Sequence, residues 1–183
     1  MSGLIPASWP LLSLLIWVPI LGGFATLAFG ERHPTAARWF ALIVSLATLA
    51  LCVPLVRGYD ASSPLMQLVE QHAWVPAYKI NYSLGVDGIS IALIVLTALT
   101  TTLVIIGAWG SVQKRVSQYM AAFLVLEGLM LGVFCALDAM LFYVFFEAML
   151  VPMFIIIGIW GGRDACTLPS SFSCTPFSVR SSC

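Results

Sequence analysis

Five long apolar runs constrain this chain more than any other feature of its sequence. They occupy residues 11–29, 39–56, 89–109, 121–137 and 140–160, and each is close to the roughly 20 residues that a helix needs to cross a bilayer. Charged residues make up only 9% of the chain, whereas a soluble domain carries about a quarter. So few charges cannot cover a water-facing surface. The sequence therefore predicts an all-α integral membrane protein with five transmembrane helices.

The first 164 residues form one predicted membrane domain, in which residues 57–88 make a long polar loop between the second and third helices. Within this loop aromatic or aliphatic residues alternate with polar residues from Tyr78 to Leu84, and a period of two indicates a strand. Asp87 follows and is placed to cap the third helix. We therefore predict a small β-like element in this outer loop.

Basic residues are unevenly shared between the two sides of the membrane. Five lie in connections on one side and two on the other, namely Arg32, Arg38, Lys114, Arg115 and Arg163 against Arg57 and Lys79. Because basic connections stay in the cytoplasm, we expect the N-terminus to lie outside. No basic residue precedes the first run, which favours a retained helix over a cleaved signal peptide. Zero net charge and scattered basic residues argue against nucleic acid as a partner.

Residues 165–183 break the membrane pattern, because they are rich in Ser and Cys and lack helical periodicity. Codons can be chosen for this tail that, shifted by one base, encode an apolar helix. The hypothesis is that a frameshift produced the tail and that the natural protein continues through further spans. An early stop codon in the shifted frame of the gene would rule this out. The five cysteines lack metal-ligand spacing, and Cys52 and Cys135 are interpreted as small apolar residues within spans.

Two carboxylates interrupt the apolar runs, Glu127 in the fourth and Glu147 in the fifth. A charge at the centre of the bilayer costs at least about 2.5–3.5 kcal/mol, so each must be neutral or face a partner. Counted from Asp138, Glu127 lies about 16 Å deep and Glu147 about 13 Å deep. If they face each other, their titrations are coupled. Glu147 is the predicted proton carrier and Glu127 a possible second carboxylate.

Simpler interpretations exist for these residues and their neighbours. Both glutamates could be neutral packing residues, and Gly128 and Gly132 beside Glu127 indicate a helix contact in which a polar group acts as glue. Tyr143, one turn before Glu147, could hydrogen-bond it or be an interior aromatic. Asp138 is expected to be a turn residue. His33 and His72 are expected in loops, and neither is a predicted ligand.

The stretch "LFYVFFEAMLVPMFIIIGIWGG" at residues 141–162 resembles the M subunit family of the respiratory NADH-quinone oxidoreductase, complex I, known in mitochondria as subunit 4. "GVDGIS" at residues 85–90 is similar to that family as well, as are the order of spans and the long outer loop. The resemblance covers about the first 164 residues. It extends less closely to antiporter subunits of multi-component Na+/H+ exchangers.

The resemblance implies an antiporter-like bundle of roughly fourteen helices with two inverted repeats, of which this chain is the N-terminal part. It implies that Glu147 pairs with a lysine of a later helix on a proton path, and that "AYKINYSL" belongs to a hairpin that contacts neighbouring antiporter-like subunits. NADH, FMN, iron–sulfur clusters and quinone are expected in other subunits, with no cofactor in this chain. The expected location is a bacterial inner membrane.

The chain departs from the family in one respect that concerns the site. No lysine occurs after Lys114, so the acid is present without the base that the resemblance implies, and the fragment alone is expected to be inactive. The function expected of the whole protein is proton translocation coupled to NADH oxidation and quinone reduction. The alternatives are a Na+/H+ antiporter subunit and a structural membrane scaffold.

Overall fold

The computed structural model describes residues 10–28, 34–59, 66–75, 80–112 and 115–160. Within these residues the chain forms five helices and one two-stranded sheet. The elements in chain order are α1 (Leu11–Ala28), α2 (Pro34–Gly58), β1 (Gln67–Val75), β2 (Ile80–Val86), α3 (Gly88–Ser111), α4 (Val116–Cys135) and α5 (Ala139–Trp160). Each helix is long and apolar enough to cross a membrane. The predicted fold class is therefore confirmed, while the predicted tail at 165–183 lies outside the described residues.

Two helices begin earlier than the apolar runs predicted. α2 begins at Pro34 rather than at residue 39, and α4 begins at Val116 rather than at residue 121. Hydropathy detects only the part of a helix that suits hydrocarbon, whereas backbone hydrogen bonding continues into the more polar first turns. Proline suits the first position because its missing N–H would be unpaired there anyway. As a result Arg38 lies within α2 and not in a connection, and its Nη2 donates to the Val112 carbonyl at 2.8 Å.

Glycines allow close contacts between helices of the bundle. A methyl group on Gly128 of α4 would lie 2.8 Å from the Ile16 carbonyl oxygen of α1. On the facing surface, a methyl group on Gly23 of α1 would lie 2.9 Å from the Ala121 carbonyl oxygen of α4. Small residues that let two backbones approach are the usual basis of helix packing in membranes. Gly132 makes a similar close approach to Phe145 of α5, so the helix contacts predicted at Gly128 and Gly132 are confirmed.

The loop between α2 and α3 contains an antiparallel hairpin of β1 and β2. β2 confirms the predicted strand from Ile80 onwards, while positions 78 and 79 of the alternation lie outside the described residues. The Asp87 carboxylate accepts from the Gly88 N–H at 2.7 Å, which confirms the predicted cap of α3. β1 was not predicted by the pattern. Its register shifts between Gln67 and Glu70, and Leu68 has a φ of 54°. Such a bulge interrupts the alternation by which a strand is recognised.

The hairpin is attached at two places to one end of the helix bundle. The Leu137 N–H, in the turn between α4 and α5, donates to the Ser83 carbonyl at 3.0 Å. At the other attachment the Glu70 carboxylate accepts from the N–H groups of Leu12 and Ser13 at 2.8 and 3.2 Å, and from the Ser13 hydroxyl at 2.7 Å. The first N–H groups of a helix have no partner within the helix. A carboxylate from β1 therefore caps α1 and also matches the positive end of its dipole.

If Glu70 caps α1, removal of its charge should speed amide hydrogen exchange at the start of that helix. Glu70→Gln keeps the shape but loses the negative charge, so we expect the start of α1 to be less stable by about 1 kcal/mol. Amide hydrogen exchange at Leu12 and Ser13 should then be about fivefold faster. Asp87→Asn, which changes the cap of α3, is the matched control and should leave exchange at α1 unchanged. Equal exchange at α1 in Glu70→Gln and the unsubstituted chain would contradict the assigned cap.

Candidate functional site

Glu127 lies inside the bundle, on the side of α4 that faces α2 and α3. Its side chain is only 1% exposed, and no group among the described residues hydrogen-bonds either carboxyl oxygen. The Cys52 thiol of α2 lies within electrostatic range of the carboxyl. Toward α3 the carboxyl borders a cavity of about 400 Å³. The second predicted carboxylate is therefore a buried acid that the surrounding helices leave without a hydrogen-bond partner.

Glu147 has the opposite environment. Its side chain is exposed on α5, where its neighbours on the same surface are apolar, with Val144 42% and Val151 60% exposed. The Tyr143 side chain, itself 57% exposed, is placed to hydrogen-bond the Glu147 carboxylate one turn away. Tyr143 is therefore a neighbour of the acid and not an interior aromatic of this bundle. The predicted proton carrier occupies an outward, apolar face together with one polar companion.

The two carboxyls do not face each other. α4 meets α5 through Gly132 and Phe145, and a helix turns by about 100° per residue. Glu127 therefore lies about 140° around α4 from the α5 contact, and Glu147 lies about 160° around α5 from the α4 contact. The two carboxyls therefore lie on different sides of the contact between α4 and α5 and do not form a facing pair.

The depth of the two carboxyls agrees better with the expectation. Because Gly132 contacts Phe145 in this antiparallel pair, Glu147 lies level with about residue 130 of α4. Its distance from Glu127 along the helix axis is then about 4–5 Å. Spacing along the chain therefore predicted that the two carboxyls lie at a similar depth. The side of each helix on which the carboxyl lies depends instead on how the helices pack.

Other residues considered from the sequence have structural roles or stay untested. The Asp138 carboxylate accepts from the Met140 N–H at 2.9 Å and starts α5, which fits the predicted turn. Cys52 and Cys135 are free and buried, as expected of small apolar residues in spans. His72 belongs to β1 and not to an unstructured loop, while His33 lies outside the described residues. Across the described residues, no three His, Cys, Asp or Glu side chains are grouped to hold a metal ion.

Sequence reasoning missed the polar stripe that borders the Glu127 cavity. Thr97, Thr100 and Thr101 of α3 line it, and their spacing of three and four residues places them on one side of a helix. The signal was present in the sequence, because three threonines at helical spacing in an apolar span form a polar stripe. Their relation to Glu127 was not predictable, since it depends on how α3 packs on α4.

Together, five apolar helices and two carboxyls within them define a polytopic helical membrane protein. A solved chain of respiratory complex I from Thermus thermophilus with bound NADH has the same arrangement, with a TM-score of 0.70 and 27% identity. The match covers 85% of this chain and 30% of that chain.

Sequence comparisons define the family more closely. The family model described as NADH-ubiquinone oxidoreductase chain 4, amino terminus, matches residues 60–137. NADH-quinone oxidoreductase subunit M of Rhodobacter capsulatus is 49% identical over 159 residues, which cover 84% of this chain and 30% of that protein. F(420)H(2) dehydrogenase subunit M of Methanosarcina mazei is 37% identical over 155 residues, covering 85% of this chain and 31% of that protein. The chain belongs to the NADH-quinone oxidoreductase subunit M and chain 4 family, and it spans about 30% of the length of the relatives it matches.

Proposed function

We propose that the protein to which this sequence belongs is a proton-translocating membrane subunit of an NADH-quinone oxidoreductase, with Glu147 as its switchable proton carrier. The observation that carries this proposal is the position of Glu147. It is an acid on an outward, apolar face of a membrane-length helix, where an unpaired charge is costly. A surface of this kind suits a carboxyl that is stabilised by a group brought to it from another helix.

The proposed mechanism is electrostatic. A lysine ammonium about 4 Å from Glu147 stabilises the ionised carboxylate by ~4 kcal/mol at an effective dielectric constant near 20. Withdrawal of the lysine to about 8 Å halves that stabilisation, which changes the proton affinity of the carboxyl roughly thirtyfold. Movement of a positive charge by a few ångströms therefore loads or releases one proton. Tyr143 supports the cycle by hydrogen-bonding the carboxylate from the same helix.

The electron donor is separable from this membrane function. One relative is named as a subunit of an NADH-quinone oxidoreductase and another as a subunit of an F(420)H(2) dehydrogenase, with identities of 49% and 37% to this chain. A membrane subunit shared by enzymes named for different donors fits a role in proton movement and not in donor binding. NADH, FMN, iron–sulfur clusters and quinone accordingly belong to other subunits in this proposal.

The proposed orientation places the N-terminus and the hairpin outside a bacterial inner membrane. The hairpin, the start of α1 and the turn between α4 and α5 lie at one end of the bundle. Arg38 and the end of α3, where its Nη2 bonds the Val112 carbonyl, lie at the other. The basic residue therefore lies on the proposed cytoplasmic side. On the outer side the hairpin is available to neighbouring antiporter-like subunits.

Inverted membrane vesicles that carry a full-length relative within its complex test the proposal. Addition of NADH should acidify the vesicle interior while quinone is reduced, and an inhibitor that blocks quinone reduction should abolish the acidification. A pulse of Na+ without NADH should move no protons. Proton movement driven by the Na+ pulse alone would instead favour the antiporter alternative, and quinone reduction without acidification would favour a structural scaffold.

A further inference from the structure

The Glu127 carboxyl requires a hydrogen-bonding partner that the described side chains and backbone do not supply. It is 1% exposed and both of its oxygens are unpaired among the described residues. Buried polar groups in native proteins are nearly always bonded to protein or to ordered water. The carboxyl faces away from α5, as its position around α4 shows, so Glu147 is not its partner. The cavity between α3 and α4 is what lies beside it.

The polar part of that cavity is a row of hydrogen-bond acceptors. The hydroxyls of Thr97, Thr100 and Thr101 donate to the carbonyls of Leu93, Leu96 and Thr97, at 2.8, 2.7 and 3.0 Å. Each hydroxyl proton is therefore committed to its own helix, and the oxygen lone pairs remain as acceptors. A neutral carboxyl adds one donor and one acceptor. A small molecule that both donates and accepts hydrogen bonds could therefore join these hydroxyl oxygens to the carboxyl.

Water is the ligand that fits this chemistry and this space. The cavity volume of about 400 Å³ far exceeds the ~30 Å³ that one water molecule occupies in the liquid. Buried water needs two to four polar partners, and apolar cavities stay dry, so only the part lined by the threonines and Glu127 suits it. Thr100 lines the cavity and is itself exposed at the surface of α3. A dehydrated metal cation fits less well, because only four of the side chains that line the cavity carry an oxygen atom and the rest are apolar.

We propose that the cavity between α3 and α4 is a hydrated site, in which a few water molecules join the neutral Glu127 carboxyl to the hydroxyl oxygens of Thr97, Thr100 and Thr101. The Glu127 proton is exchanged through this water: the carboxyl O–H is given up to the adjacent water and an equivalent proton returns from it. The exchange path of Glu127 thus lies on the α3 side of α4 and is separate from Glu147. Hydration rests on the geometry alone, whereas a role for Glu127 in translocation also rests on the proposed function.

Infrared spectroscopy of the full chain in lipid vesicles tests the site. The carbonyl stretching band of the neutral Glu127 carboxyl is identified as the band lost in Glu127→Gln. On transfer from H2O to D2O this band should shift as the carboxyl O–H becomes O–D. In the triple variant Thr97→Val, Thr100→Val and Thr101→Val, the shift should be about tenfold slower because the partners that hold the water are removed. The band itself should move to higher frequency, as expected of a carboxyl that has lost hydrogen bonds.

Thr102→Val is the matched control. Thr102 is on the same helix, 7% exposed, and donates to the Ala98 carbonyl at 2.9 Å, but it does not line the cavity. In Thr102→Val the Glu127 band should shift in D2O at the same rate as in the unsubstituted chain. If the triple variant does not fold, Thr100→Val alone, at an exposed position, should slow the shift about threefold.

Three results would overturn the proposal. They are an unsubstituted chain with no exchangeable Glu127 band, equal exchange in the triple variant and in Thr102→Val, and a band that moves on addition of Na+ but not of D2O. The last would indicate a cation site. None of these readouts involves proton pumping, so failure of the role proposed for Glu147 would leave the hydrated site standing, and the converse also holds.

Discussion

Glu147→Gln in a full-length relative should reduce proton translocation by about 100-fold or more, because the amide keeps the size of the side chain but cannot release a proton. Gln has nearly the same size and shape as Glu, so the fold should be preserved. Dye-detected acidification of inverted vesicles after NADH addition measures the effect, with the rate of quinone reduction recorded in the same sample.

Two variants make this experiment specific. Glu147→Asp retains a titratable carboxyl and should keep part of the activity. Val151→Gln introduces the same amide one turn further along α5, on the same outward surface and at a residue that is 60% exposed in this chain, and should pump far faster than Glu147→Gln because it leaves the titratable carboxyl in place. Normal proton pumping by Glu147→Gln at a normal rate of electron transfer would show that the assigned carrier is wrong.

The second large effect is expected at the contact between α1 and α4. Gly128→Ala places a methyl group 2.5 Å from Ile20 Cγ1 and 2.8 Å from the Ile16 carbonyl oxygen. The Ile20 side chain can rotate, but the carbonyl belongs to the backbone of α1, so the two helices must separate. Overpacking of this kind costs about 1–3 kcal/mol. Reversible unfolding of the chain in mixed detergent and lipid micelles should show that loss of stability.

Gly107→Ala is the matched control for this loss. Gly107 is also within a helix, and a methyl group there would have no neighbour within 4 Å. Both substitutions change helix propensity in the same favourable direction, by up to about 1 kcal/mol, so the difference between them isolates the packing of α1 on α4. If Gly128→Ala is as stable as Gly107→Ala, the close approach of the two backbones does not limit stability.

Properties determined by short stretches of sequence were predictable here. Apolar length identified five membrane helices because transfer into hydrocarbon depends on local composition. The alternation of Ile80, Tyr82 and Leu84 identified β2, and Asp87 identified the cap of α3. β1 was not predicted because its bulge at Leu68 breaks the period of two. The starts of α2 and α4 were predicted too late in the chain because the first turns of these helices are more polar than the rest.

The arrangement of the candidate site was less predictable. Spacing from Asp138 placed Glu127 and Glu147 in one layer, but not on their respective sides of α4 and α5. The side on which each carboxyl lies depends on which residues contact the other helices. Here α4 and α5 meet at Gly132 and Phe145, so both carboxyls lie away from that contact. The threonine stripe of α3 acquired its relation to Glu127 only through the packing of α3 on α4. A single helix does not contain that information.

The link between Glu70 and the start of α1 has a consequence for the order of assembly. Leu12 and Glu70 are 58 positions apart in the chain, so the ribosome releases α1 well before it makes the residue that completes it. The first N–H groups of α1 therefore lack their capping carboxylate until the hairpin has been made and folded. Although α1 is made before the hairpin, its first turn is completed after it, so an error in the hairpin also destabilises the beginning of α1.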